Sequence, residues 1–280
     1  WMPGRMPVNP DAKVIHIGPD PLFSNVPVRG FRSDLTIVGN TAVSIDALSA
    51  ALHTRGVAEA TRTEARRAVL EPRLRRQQEL ADGDGTNAEG PLSPEFMSRT
   101  LSEVLGEDAI IVNELGLATQ MLEMTRHDSF FGLSVSGGLG WAGGAALGVK
   151  LAAPERTVVW ATGDGSYVFS NPAACHHAAA SLELGLLTVV ADNRVWNAVR
   201  RSTIAVYPQG HAARAQAMPL TKLEPAPDYT KMVEAYGGWG IAVSRAEDLR
   251  PALEQALEIT RGGRQALVAV HCSYPDALKH

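Results

Sequence analysis

The 280-residue chain carries only two cysteines, Cys175 and Cys272. Two thiols cannot build a disulfide framework, and with no CxxC pair or His/Cys cluster the common zinc sites are excluded. Surplus positive charge is lacking too. The formal net charge is −4 and no basic stripe runs along the chain, so a nucleic-acid partner is not expected. No apolar run approaches the ~20 residues of a membrane span, and no basic-then-apolar leader opens the sequence. The expectation is a soluble, cytoplasmic protein with neither membrane nor nucleic acid among its partners. The opening Trp1-Met2-Pro3-Gly4-Arg5 has no initiator methionine before it, which suggests a processed piece or one half of a split protein.

The length allows one large or two medium domains with a substantial core. Residues 13–18 (KVIHIG) have the pattern of a short buried strand, 35–38 (LTIV) that of a second short strand, and 43–52 that of a helix with Thr41 or Ser44 near its start. This opening stretch is too short for a complete doubly wound unit and matches the tail of one. Residues 55–80 are charged and predict a solvated helix interrupted at Pro72. Residues 81–90 (ADGDGTNAEG), with no apolar anchor, are the expected linker. The expected division is 1–80, a partial α/β domain; 81–90, a linker; and 91–280, a second α/β domain.

In that second region Ser93-Pro94-Glu95 starts a helix with proline at its first position. Strands are expected at 109–113, 157–161, 187–191 and 267–270, with helices at 142–151, 172–182 and 246–260. Strands this short and without alternation are buried on both faces. The fold class is therefore α/β, a doubly wound, mostly parallel sheet with helices on both faces. Ligands of such sheets sit beyond the carboxyl ends of the strands, here the loops after Asn113, Ala161 and Ala191.

Two segments carry chemistry. Gly138-Leu139-Gly140-Trp141-Ala142-Gly143 matches GxGxxG and opens a helix, with Asp164 at about the distance of a dinucleotide-binding acid. No clear strand feeds its first glycine, however, and Asp164 is enclosed by glycines. The second segment is Gly163-Asp164-Gly165-Ser166, after the TVVWA strand. Small residues around one carboxylate let backbone approach a bulky anion while the acid faces a cation, and a helix near Pro172 would turn its amides toward phosphate. The next strand ends in Asp192-Asn193-Arg194, so an amide oxygen joins the carboxylate 29 residues on. Carboxylate, amide and carbonyl oxygens suit Mg²⁺ completed by phosphate and water.

The words SGGLGWAGGAALGVKLAAPERTVVWATGDGSY and VVADNRVWNAV resemble the pyrophosphate-binding domain of thiamine diphosphate (ThDP)-dependent enzymes of the acetolactate synthase and benzoylformate decarboxylase group. Residues 13–52 look like the later half of that group's central domain. The resemblance implies ThDP and Mg²⁺ as cofactors, with Asp164, Asn193 and the carbonyl of Val195 as metal ligands. Gly165 and Ser166 would contact the diphosphate, and Leu139 would support the bent cofactor beneath its thiazolium. The carbonyl of Gly137 would accept from the aminopyrimidine, and Glu114-Leu115-Gly116 would occupy the other diphosphate-side loop. Gly138, Gly163 and Trp196 complete the cofactor set, with a core or interface role open for Trp196.

Departures from the family pattern are the Asp192-Asn193 pair, a longer interval after Asp164, and a loop after Asn113 without hydroxyl side chains. The family's pyrimidine-binding domain, whose glutamate activates the cofactor, has no counterpart in this sequence. The resemblance thus implies one chain of a hetero-oligomer, a 2-oxoacid decarboxylase or carboligase completed by a partner chain. An acyl-CoA lyase component and a noncatalytic ThDP-binding subunit stand as alternatives. His176 and His177 are expected to be packing or surface residues, and Cys175 a buried small one.

Overall fold

The computed structural model describes residues 9, 11–25, 32–55, 59–83, 91–132, 137–215 and 218–273. The start at Trp1 therefore lies outside the described residues. Contacts divide the chain into two compact units, Trp1–Glu71 and Pro72–His280.

In the first unit β1 (Ile15–Gly18) pairs in parallel with β2 (Leu35–Val38), and α1 (Thr41–Thr54) follows. The helix begins two residues before the first position of its apolar pattern. Asn40 caps it, its side chain accepting from the Val43 N–H, and an asparagine is among the best residues for that orphan donor. α2 (Glu59–Gly83) spans the division and runs through Pro72 without interruption. A proline inside a helix forfeits one backbone bond and costs about 3 kcal/mol. Around it, strong helix formers such as Arg73, Leu74, Arg75 and Arg76 continue the helix. Residues 81–83 of the expected linker belong to this helix, and 84–90 lie outside the described residues.

The second unit is built on a six-stranded parallel sheet in the order β4-β3-β5-β6-β8-β7. In chain order its elements are α3 (Pro94–Val104), β3 (Ile110–Glu114), a 3₁₀ turn, β4 (Phe130–Phe131), α4 (Trp141–Ala152), β5 (Val158–Gly163), α5 (Asp164–Phe169) and α6 (Pro172–Ser181). There follow β6 (Leu186–Asp192), α7 (Asn197–Val206), α8 (His211–Arg214), α9 (Tyr229–Glu234), β7 (Trp239–Val243), α10 (Ala246–Arg261) and β8 (Ala266–His271). Ser93 caps α3 with its hydroxyl while Pro94 fills the first helical position, as its sequence dictates. β7 was not expected, because Gly238 and Gly240 interrupt its apolar pattern.

Side chains alternate across the sheet. Ile111, Val159, Ala161, Leu187, Val189, Val268 and Val270 enter one core with Met97 and Leu101 of α3 and Leu249, Leu253 and Leu257 of α10. Val112, Val158, Trp160, Leu186, Val190 and Leu267 enter the other with Ala142 and Ala146 of α4, Cys175 of α6 and Val233 of α9. Burial on both faces is why the strands lack polar alternation. The chain moves from β3 outward to β4 and then back across to β5. That reversal opens a crevice at the carboxyl ends of β3 and β5, where such sheets bind ligands. Among the described residues no helix is long and apolar enough to cross a membrane.

Candidate functional site

At that crevice lies a cavity of about 100 Å³, lined by Leu115 after β3, by Gly163, Asp164, Gly165 and Ser166 at the β5–α5 junction, and by Leu139. Asn193 and Trp196 after β6, with Asn197 and Arg201 of α7, close it. Seven of the residues expected around a cofactor thus meet in one place. There is no loop between β5 and its helix: α5 begins at Asp164 itself. The expected phosphate-facing helix start near Pro172 is not realised, since Pro172 lines a different, apolar depression with Phe169 and Tyr229.

Asp164 is 3% exposed. Its Oδ1 accepts from the Gly165 N–H at 2.7 Å, and its Oδ2 from the N–H groups of Asn193 (3.1 Å) and Arg194 (2.6 Å). Arg194 takes φ 58°, a conformation disfavoured for a long side chain. It is held there by those bonds and by its carbonyl accepting from the Leu223 N–H. Burial pushes the Asp164 carboxyl up to about 6, the neighbouring Asp192 charge adding to the effect and the three backbone donors opposing it. Among the described residues Asp164 forms no ion pair. A buried acid with this environment is short of positive charge, and a divalent cation would supply it.

The remaining oxygens fit the same cation. Asn193 Oδ1 accepts from the Val195 N–H at 2.9 Å, leaving its second lone pair free. The Val195 carbonyl accepts from the Asn197 N–H at 2.6 Å across Trp196, whose φ −66° and ψ 61° make an inverse γ-turn. Carboxylate, amide and carbonyl are hard donors. Among the described residues no three His, Cys, Asp or Glu side chains cluster as a metal site, so any cation here depends on amide, carbonyl and ligand oxygens as well as Asp164.

Two glycines are required by contact. A Cβ on Gly165 would stand 2.6 Å from Cε3 and Cζ3 of Trp196, whose indole packs directly on this residue and meets Phe169 edge-on at 5.4 Å between ring centroids. A Cβ on Gly116 would stand 2.6 Å from the Thr162 backbone nitrogen. Gly116 therefore serves the close packing of the β3 loop on β5 and does not line the cavity. Gly137, Gly138 and Val195 also lie outside the lining, the two glycines exposed and Val195 half-buried.

Glu114 is placed differently from expectation. It is fully buried at the end of β3, and its carboxylate accepts from the backbone N–H groups of Gly140 (2.6 Å) and Ala142 (2.9 Å) at the start of α4. Gly140, at the N-cap of α4, has no side chain to satisfy those donors, so a carboxylate from another strand does. This also disposes of the dinucleotide reading of the GxGxxG segment. The amides that would face a pyrophosphate are already occupied by Glu114.

The α7 residues Asn197, Ala198, Val199 and Arg201 were missed in the sequence. The signal available was the i, i+4 spacing of Asn197 and Arg201 directly after the Asp192-Asn193 segment. Arg201 is the only cation among the described lining residues. His176 is not at the cavity. It is buried, with Nε2 2.7 Å from the Tyr167 hydroxyl and Nδ1 2.7 Å from Gln265 Oε1, while His177 is exposed.

Comparison with known proteins agrees with this geometry. Residues 114–270, more than half of the chain, match the family described as thiamine pyrophosphate enzyme, C-terminal TPP binding domain. The chain is 31% identical over 192 residues to the acetolactate synthase isozyme 3 large subunit of Escherichia coli (strain K12), covering 64% of this chain and 30% of that protein. It is 29% identical over 257 residues to an acetolactate synthase of Mycobacterium bovis, covering 89% of this chain and 39% of the relative. In fold it is similar to the thiamine diphosphate-dependent 4-hydroxybenzoylformate decarboxylase of Rhodococcus jostii RHA1, with TM-score 0.58 and 24% identity over 69% of this chain and 34% of that one. The chain thus spans between 30% and 39% of the length of these curated relatives. With the family model covering more than half of the chain, from β3 through β8, the chain belongs to the thiamine pyrophosphate enzymes and carries their C-terminal TPP-binding domain, whose cofactor is thiamine diphosphate with Mg²⁺.

Proposed function

We propose that this chain supplies the diphosphate-binding half of a Mg²⁺-ThDP site in a 2-oxoacid decarboxylase or carboligase, the other half coming from a partner chain with a pyrimidine-binding domain and its glutamate. The observation that carries this reading is the buried Asp164 carboxylate, with no ion pair among the described residues, bonded to the Asn193 N–H, with Val195 bonded in turn to the Asn193 side chain. Those three groups would hold the metal, and Gly165 and Ser166 would face the diphosphate. Leu139, half-buried in the same wall, would support the thiazolium, and Trp196 would screen that wall from water. ThDP, when bound, supplies an electron sink for cleavage of the bond between the carbonyl and carboxyl carbons of a 2-oxo acid. This chain's own contribution is to bind, orient and dehydrate, with Arg201 placing a positive charge where a substrate carboxylate would enter.

The test is ThDP binding by the full chain, followed through tryptophan fluorescence in Mg²⁺ and in EDTA. Wild type is expected to bind only with the metal, and Asp164→Ala to lose that binding. Equal affinity in the variant would refute the metal assignment. Copurification from the host is expected to return a chain carrying the pyrimidine-binding domain, and turnover of a 2-oxo acid only when the two are combined.

A further inference from the structure

Asp192 ends β6 and is 8% exposed. Its Oδ1 is buried and has no hydrogen-bond partner among the described residues. Its Oδ2 lies 3.6 Å from Nε of Arg194, a side chain half in solvent, where an ion pair contributes little. A buried carboxylate oxygen without a donor is costly, and in a folded protein it calls for an ion, a water or a functional reason.

The position of Asp192 suggests which. The two residues after it, Asn193 and Arg194, donate their N–H groups to Asp164, so one turn of backbone links the two acids. Along β6, Val189 and Ala191 face the α3/α10 core and Val190 the α4 core. By alternation Asp192 points to the Val190 side, which also holds Tyr167 of α5 and Tyr229 of α9. The Asp192 charge reaches Asp164, Tyr229 and Cys272. Tyr229 has a buried hydroxyl that is likewise unpartnered among the described residues. Asp192 does not line the cavity and its Oδ2 turns to Arg194; it would act on a cation through its charge, from behind Asp164, and not as a ligand.

We propose that Asp192 is a second, non-ligating carboxylate that strengthens divalent-cation binding at Asp164, its charge, only weakly offset by the exposed Arg194 side chain, being balanced when the cation is present. This rests on the cofactor reading of the cavity. An asparagine in its place keeps the shape and removes the charge, and one charge about 6 Å from a divalent ion is worth about tenfold in affinity even when screened as in bulk water.

The experiment uses the full chain with saturating ThDP and Mn²⁺ as the probe cation, titrated by electron paramagnetic resonance, with wild type, Asp192→Asn and Asp164→Ala compared. Asp192→Asn is expected to bind Mn²⁺ more weakly by about tenfold or more while ThDP still binds at saturating metal. An affinity within twofold of wild type would overturn the proposal. Melting curves separate this from a structural role. In EDTA Asp192→Asn is expected to melt no lower than wild type, because a buried charge offset only by a half-exposed arginine is gone, and with Mn²⁺ and ThDP wild type should gain more. A variant that melts lower under both conditions by the same margin would also overturn it. Should Asp192→Asn fail to fold, Asp192→Ser carries the same expectations. No Mn²⁺-dependent ThDP binding by wild type would instead sink the cofactor reading, and Asp164→Ala binding like wild type would sink its metal assignment alone.

Discussion

Replacing Glu114 by alanine is expected to destabilise the second unit severely, although the residue sits in what looks like a ligand loop. The carboxylate is fully buried and its partners are the backbone N–H groups of Gly140 and Ala142. Taking a carboxylate out of water costs several kcal/mol. Two charge-assisted bonds and the partial positive charge at the start of the twelve-residue α4 offset that cost. Because both donors belong to the backbone, no substitution can remove them together with the acid. An apolar replacement is therefore not neutral here, as it can be for a buried pair of side chains. Each stranded donor costs about 1–3 kcal/mol, and the space left by the side chain adds to this. The total for Glu114→Ala is on the order of 3–5 kcal/mol. Glu114→Gln keeps one acceptor and turns an amide against the second donor, for roughly half that loss. Urea unfolding followed by far-UV circular dichroism measures both, with unchanged m-values expected. Because Gly140 follows Leu139, Glu114→Gln should also weaken Mg²⁺-ThDP binding in the protein that remains folded. A Glu114→Ala protein within 1 kcal/mol of wild type would refute the reasoning.

Gly165→Ala places a Cβ on the Trp196 indole; overpacking of this kind costs about 1–3 kcal/mol, and the displaced ring should blue- or red-shift the tryptophan emission, whereas an unchanged spectrum and stability would mean that no such contact exists. For pH, two buried groups act in opposite senses in metal-free buffer. Burial holds the His176 imidazole below its ordinary pKa against the opposing Gln265 bond, so its stabilising contribution is present above the unfolded value near 6.5 and is lost as pH falls. Asp164, raised to about 6, favours the folded state at low pH and loses that contribution as pH rises through 6. The difference in unfolding free energy between wild type and Asp164→Asn should therefore move toward wild type by roughly 1–1.5 kcal/mol from pH 7.5 to pH 5, and a difference independent of pH would contradict the raised value.

The central strands were legible because burial on both faces writes itself as short apolar runs, as in VVWA of β5 and LTVV of β6. The Asp164–Asn193 pairing was legible because each residue directly follows a strand, and adjacent parallel strands bring their ends together: Gly163 pairs with Ala191. Glu114 was not. Its partners lie 26 and 28 residues away and are backbone groups, which no side-chain pattern can announce. α2 was misjudged at Pro72 because a breaker was weighed alone, while the helix formers on either side of it carry the chain through. β7 was missed for the opposite reason. Gly240 looks like a break, yet it lies on a strand where its missing Cβ lets Thr230 of α9 approach, a hypothetical Cβ standing 2.7 Å from the Thr230 Cα.

The composition of the cavity wall constrains how the proposed reaction divides between chains. Asp164 is the only acid among the described lining residues, and Arg201 the only base. A carboxylate that holds a divalent cation is no longer free to carry protons, and an arginine stays protonated. No described lining residue therefore remains for general acid–base work, while the groups proposed to grip metal, phosphate and carboxylate are all present. Binding and proton transfer then fall on different surfaces. Mg²⁺-ThDP affinity should follow the residues of this wall, and the pH dependence of turnover should follow an acid on the facing one. In the combined enzyme, Arg201→Gln is expected to raise KM for a 2-oxo acid about tenfold, the scale for losing one charged contact, with the pH profile of kcat unmoved. A profile that shifts with Arg201 would place the proton chemistry on this wall after all and refute the division.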